Sequence, residues 1–122
     1  MRVVVAIDSF KGASTSLDAA SAVRTGLLRV RADAEVVTVP IADGGEGTVA
    51  ALLAAVPGAV AHTQTVQDAL GRPVRATLLM LDATTAVIET AQASGLAMTD
   101  QSLAQAEAAG TAGVGELMLA AC

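Results

Sequence analysis

Aromatic residues are almost missing from this chain of 122 residues: Phe10 stands alone, with no tyrosine and no tryptophan. The scarcity removes the stacking platforms that single-stranded nucleic-acid binders use, and a formal net charge of −5 removes the basic patch. A nucleic-acid partner is therefore not expected. Cysteine is equally scarce. Cys122 has no second cysteine to pair with, and the single histidine, His62, cannot build a zinc site with it. No run of about 18 uncharged apolar residues occurs, so no membrane span is expected. The chain opens directly into a strand with no signal-peptide layout, and a cytoplasmic location is the expectation. Anionic small molecules stay open as ligands, because local amides or a cation can override the global sign.

What is present is small and aliphatic. Alanine, valine and leucine dominate, which suits close packing of helix on sheet, although each such side chain buries little area. The length fits one compact domain and is short for a two-domain enzyme. A domain of this size buries about two thirds of its unfolded surface, so an independent core is possible.

Residues 2–7, RVVVAI, read as a strand buried on both faces. After the loop DSFKGAS, Thr15 and Asp18 form a capping pattern for a helix whose Ala20, Val23, Leu27 and Val30 recur at helical spacing. Asp33 opens a turn into a second strand, EVVTVP (35–40), and the glycine loop ADGGEGT leads to a helix over 47–56 ended by Pro57-Gly58. Two strand–helix pairs in succession predict a parallel α/β sheet, flavodoxin- or Rossmann-like in its start. The rhythm then changes. Runs at 62–67, 74–81 and 85–90, joined by short turns, predict a β-meander. Residues 91–110 read as loop and a weak alanine helix. The segment 111–122 begins a helix near Gly115-Glu116-Leu117 that stops within about two turns. Its apolar face, Val114, Leu117 and Met118, has no later element in the sequence to cover it.

Two loops follow the first two strands, and in an open parallel sheet ligands bind beyond the carboxyl ends of strands. The first carries Asp8, Ser9, Lys11 and Gly12; the second carries Asp43, Gly44, Gly45, Glu46 and Gly47. Glycine lets backbone N–H groups approach an anion, the following helix adds its positive end, and Lys11 supplies a mobile charge. Asp8, Asp43 and Glu46 could hold a divalent cation, or one of them could take a proton from a hydroxyl. Either loop alone is equally a turn and a helix cap; two loops on one sheet edge with complementary charges argue for a ligand. No GxxxxGK[ST] occurs, which excludes a P-loop, and GTAGVG (110–115) lacks the preceding strand of a dinucleotide fingerprint. His62 reads as a half-exposed strand residue. Ser94-Gly95 follows a strand end carrying Glu89, and reads either as turn chemistry or as a substrate contact.

AIDSFKG after an opening strand, VPIADGGEGT, LGRPV, TAVIETAQASGL and GVGEL, in that order, resemble the N-terminal part of the bacterial glycerate kinase family. The resemblance covers the whole chain, and DSFKG together with ADGGEGT is its most specific part. It implies a two-domain α/β enzyme that transfers the γ-phosphoryl of ATP to D-glycerate with Mg²⁺ assisting. It also implies a chain about three times this length, so residues 1–122 are expected to be a fragment truncated relative to the family fold. Within it, residues 1–60 form a βαβα start with the ligand loops, 61–90 the meander, and 91–122 a loop and helix start. On the matched motifs, Lys11, Asp43 and Asp8 take catalytic roles, and Ser9, Gly44, Gly45, Glu46, Gly47 and Ser94 contact substrate or phosphate. Asp8, Asp43 and Glu46 are the candidate metal ligands. Ile7 replaces the family's usual proline, Ala112 replaces an aromatic residue, and no asparagine-proline-leucine approach surrounds Ser102-Leu103. The competing readings are a non-catalytic fragment that binds a small anion or a partner chain, and a different α/β ligand-binding domain.

Overall fold

The computed structural model describes residues 1–10 and 12–122, which divide into two compact units, residues 1–55 and 56–122. The first unit runs β1 (Arg2–Ile7), α1 (Ser16–Val30), β2 (Glu35–Pro40) and α2 (Thr48–Ala55). β1 and β2 pair in parallel from Arg2 opposite Glu35 to Ile7 opposite Pro40. A parallel pair needs a long crossover, and α1 supplies it, packing on both strands while α2 packs on β2. Thr15 caps α1: its hydroxyl accepts the Asp18 N–H at 3.1 Å and donates to the Asp18 carboxylate at 2.7 Å. Ala19 and Ala20, the buried residues of α1, let the helix axis lie close to the strands.

The expectation is a first strand buried on both faces; residues 1–122 cover one of them. Covered and open residues alternate along β1, and Val4 is 60% exposed. A continuous β-branched run is favoured by strand propensity as well as by double coverage, so the pattern alone does not separate the two.

The second unit is the meander with its helices. β3 (Val60–Gln67), β4 (Pro73–Met80) and β5 (Ala86–Ile88) form an antiparallel sheet in that order. The β3–β4 turn closes on Asp68, a buried carboxylate that accepts the Leu70 and Arg72 N–H groups, each at 2.8 Å, and the Arg72 guanidinium at 2.6 Å. That guanidinium holds the Asp68 carboxyl below the usual carboxylate range. Arg72 also donates to the Met98 carbonyl at 2.5 Å, tying the turn to the short 3-10 helix Leu96–Met98. α3 (Ala91–Ser94), α4 (Leu103–Ala108) and α5 (Ala112–Ala120) complete the unit.

The last helix corrects the sequence reading. It starts at Ala112, three residues before the expected beginning, and Val114 and Leu117 are buried, leaving only Met118 of the named apolar face exposed. They join Val66, Ala76, Leu78 and Ala93 in the core of this unit. Gly113 permits it: a Cβ there would lie 1.8 Å from the Gln67 carbonyl oxygen, so only glycine lets α5 sit this close to β3. The Glu116 carboxylate then accepts the Gln67 N–H at 2.8 Å and its side-chain amide at 3.0 Å. The helix covers its own face by folding back on the meander.

Candidate functional site

The two ligand loops belong to the first unit and leave the carboxyl ends of β1 and β2. The first is a tight reversal. Phe10 and Ser14 bridge, with the Phe10 N–H on the Ser14 carbonyl at 2.9 Å, and the Ala13 and Ser14 N–H groups on the Phe10 carbonyl at 2.8 and 3.0 Å. Gly12 sits at φ +75°, the left-handed region that this reversal requires. Asp8 opens the loop and turns its carboxylate back on the Ser9 N–H at 2.7 Å. Lys11 lies outside the described residues.

The second loop is an Asp-initiated turn. Asp43 Oδ1 accepts the Gly45 N–H at 3.0 Å, which commits that amide to the carboxylate. Gly44 and Gly47 take left-handed φ values of +96° and +92°, while Gly45 does not. Thr48 then anchors the start of α2 through its hydroxyl to the Gly45 carbonyl at 2.8 Å.

Between the loops lies a cavity of about 390 Å³. Asp8, Ser9, Gly12, Glu46 and Gly47 line it, together with Phe10, which is 56% exposed, and the polar start of α1. The structure thus brings four of the sequence-derived site residues, Asp8, Ser9, Glu46 and Gly47, to one cavity. Asp43, Gly44 and Gly45 stand in the same loop but not on its wall. Ser94 belongs to the second unit, where it ends α3 and its hydroxyl meets the Gly110 carbonyl at 3.4 Å.

The described charged residues on the cavity wall are all acidic: Asp8, Asp18 and Glu46. An anionic ligand there needs compensating positive charge, which the sequence offers through Lys11 and which a cation could add. Oxygen donors of this kind suit a hard cation such as Mg²⁺. Among the described residues no group of three or more His, Cys, Asp or Glu side chains could hold a metal by itself.

Two groups, Ser16 and Asp68, carry no role in the sequence reading, and a third, Glu89, is named there only as part of a strand end. Ser16, the first residue of α1, lines the cavity and donates its hydroxyl to the Ile7 carbonyl at 2.7 Å. Its place directly after the Thr15 cap gives it no signal of its own. Asp68 and Glu89 are buried acids in the second unit, Asp68 bound by Arg72 and Glu89 directly behind β5. An Asp in a turn does not announce burial from sequence. Among the described residues no helix is long and apolar enough to cross a membrane.

Comparison with known proteins agrees with the loops. The sequence profile of the glycerate kinase family matches residues 3–122. A glycerate kinase of Bacillus subtilis (strain 168) is 43% identical over 99% of this chain and 32% of its own length. A glycerate 2-kinase of Escherichia coli (strain K12) is 40% identical over the same shares, 99% and 32%. The crystal structure of a provisionally named glycerate kinase 2 from Salmonella typhimurium LT2 superposes with a TM-score of 0.76 at 36% identity, covering 99% of this chain and 33% of that one. The chain therefore spans about a third of the length of the curated relatives it matches.

Proposed function

Because the chain belongs to the glycerate kinase family, we propose that the full-length protein transfers the γ-phosphoryl of ATP to D-glycerate, and that residues 1–122 supply one part of a longer two-domain enzyme. The observation that carries this reading is the convergence of the DSFKG and ADGGEGT loops on one cavity beyond the carboxyl ends of a parallel strand pair.

Phosphoryl transfer asks for positioning, an oriented hydroxyl and neutralised phosphate charge. The bond between the γ-phosphorus and the β–γ bridging oxygen breaks, a bond from the glycerate hydroxyl oxygen to phosphorus forms, and the hydroxyl proton passes to a carboxylate. Asp8 or Asp43 takes that proton. Lys11 meets the glycerate carboxylate or the transferred phosphoryl. Ser9 and the backbone around Gly44 and Gly47 contact anionic oxygen, and an anion using the Gly45 amide would displace the Asp43 carboxylate from it. Ser94 is proposed, on its matched motif alone, as a substrate contact of the full-length protein.

Mg²⁺ usually keeps several waters and binds through one or two carboxylates plus substrate phosphates, a donor count that Asp8 and Glu46 on one cavity wall would meet. Bound there with ATP, it would neutralise phosphate charge. The name of the Escherichia coli relative, a glycerate 2-kinase, points to the 2-hydroxyl as acceptor.

The test is ADP formation by the full-length protein with Mg·ATP, with and without D-glycerate, and NMR of the product to locate the phosphate. Glycerate-dependent ADP release is expected. D-Glycerate binding without turnover would favour the non-catalytic anion-binding reading instead, and neither binding nor turnover would favour a different α/β ligand-binding domain.

A further inference from the structure

The parallel ladder between β1 and β2 runs out at the root of both ligand loops. Its last register pair is Ile7 with Pro40. The closing strand-to-strand bond, from the Ile41 N–H to the Ile7 carbonyl, is long at 3.4 Å. Ser16 reinforces this closure. Its hydroxyl donates to the Ile7 carbonyl at 2.7 Å and accepts the Ile41 N–H at 3.3 Å. One side chain on α1 therefore joins the residue before Asp8 to the residue before Ala42, and it does so from the cavity wall.

We infer that Ser16 is a positioning residue that holds the two loop roots at a fixed separation, an inference that rests on the kinase reading of this site. Without the hydroxyl, the closure beyond the last register pair keeps, among the described residues, the long Ile41–Ile7 hydrogen bond, and the loops spend more time away from the arrangement that binds substrate. Apparent affinity falls by the fraction of molecules in the competent arrangement. The loss belongs in KM, because substrate that does bind still selects the same loop geometry. Ser16 is not a catalytic residue in this account, since it acts through the backbone of Ile7 and Ile41.

The experiment compares wild type, Ser16→Ala and Ser16→Thr in the full-length protein. For Ser16→Ala, KM for D-glycerate should rise about three- to tenfold with kcat within about twofold, the range that a net hydrogen bond allows. Ser16→Thr keeps the hydroxyl and should return KM toward wild type. A smaller folded fraction would lower kcat and leave KM alone, so the split separates positioning from simple loss of stability. Amide hydrogen exchange supplies a readout independent of turnover: in Ser16→Ala, exchange at Ile41 should speed up. A wild-type KM for Ser16→Ala in an active enzyme overturns the inference while leaving the kinase reading intact. If wild type shows no glycerate-dependent turnover, the kinase reading fails, and exchange alone decides the loop-root claim: unchanged protection at Ile41 in Ser16→Ala overturns it, and lost protection upholds it.

Discussion

Gly113→Ala is the substitution whose outcome the structure sets most sharply. The added Cβ would lie 1.8 Å from the Gln67 carbonyl oxygen, 2.9 Å from the Gln67 carbonyl carbon and 3.3 Å from the Ala93 Cβ. The first two obstacles are backbone of β3 and cannot rotate away, so α5 must retreat by about 1 Å or more, an overpacking that costs about 1–3 kcal/mol. The retreat also stretches the two hydrogen bonds from Gln67 to Glu116, now at 2.8 and 3.0 Å. They end on a carboxylate but are solvent-accessible, so their joint loss adds about 1 kcal/mol. The total is about 2–4 kcal/mol, which for a unit of this size corresponds to a fall in Tm on the order of 10–25 °C. Gly115→Ala is the internal control. It sits two residues on in the same helix with nothing within 4 Å of its Cβ position, and alanine there should stabilise by about 0.5–1 kcal/mol. Thermal melts of the chain, followed by circular dichroism, read both. If Gly113→Ala melted within about 2 °C of the parent, a shift too small for the lost packing, the close approach of α5 to β3 would be wrong, and with it the account of why Val114 and Leu117 are buried.

In the ligand loops, Gly44→Val and Gly47→Val should each cost about 1–2 kcal/mol from left-handed backbone alone and depress turnover of the full-length enzyme, with Gly45→Ala milder; equal kinetics for all three would detach loop shape from function. Lys11→Ala in the full-length enzyme should lower kcat/KM about a hundredfold or more, with Lys11→Arg an incomplete rescue, if the ammonium meets charge developing in a water-poor site; near-normal kcat/KM would make it a solvated loop charge. Folding depresses the Asp68 pKa through Arg72, so the carboxylate's contribution to stability is complete above the ordinary Asp range, about 3.9, and is lost as pH falls through the lower folded value. The Tm gap between wild type and Asp68→Asn should therefore be widest near neutrality and close in strong acid, and a gap independent of pH would refute the pairing.

Much of the fold was legible because its signals are local. The β-branched runs, the Thr15 cap and the breaks at Pro57-Gly58 and around Gly71 each act within a few residues, and the structure has an element boundary close to every one of them. What was not legible depends on partners distant in sequence. Nothing in TAGVGELMLAAC says that Gly113 faces a carbonyl of residue 67, so its apolar positions read as bare when they are core. The strand RVVVAI is the opposite case. Its unbroken valines suggest double coverage, and residues 1–122 supply the cover for one face, because burial in a sheet depends on how many layers lie against it.

The loops divide in the same way. Asp8, Ser9, Glu46 and Gly47 share one cavity because a parallel strand pair delivers whatever follows each strand to the same edge. Composition did not distinguish among the three glycines of ADGGEGT, although the backbone does: Gly44 and Gly47 supply the left-handed turns, and Gly45 supplies an amide for Asp43. Each of these tasks is set by the path from Pro40 to Thr48 as a whole. Ser16 was missed for a related reason. As a serine directly after the Thr15 cap it carries no signal of its own, while its hydroxyl bonds the Ile7 carbonyl and the Ile41 N–H, nine residues before it and twenty-five after it. A residue that completes a ladder between two strands it does not belong to leaves no periodic trace. It becomes visible only when the backbone donors and acceptors at the ends of β1 and β2 are matched one by one.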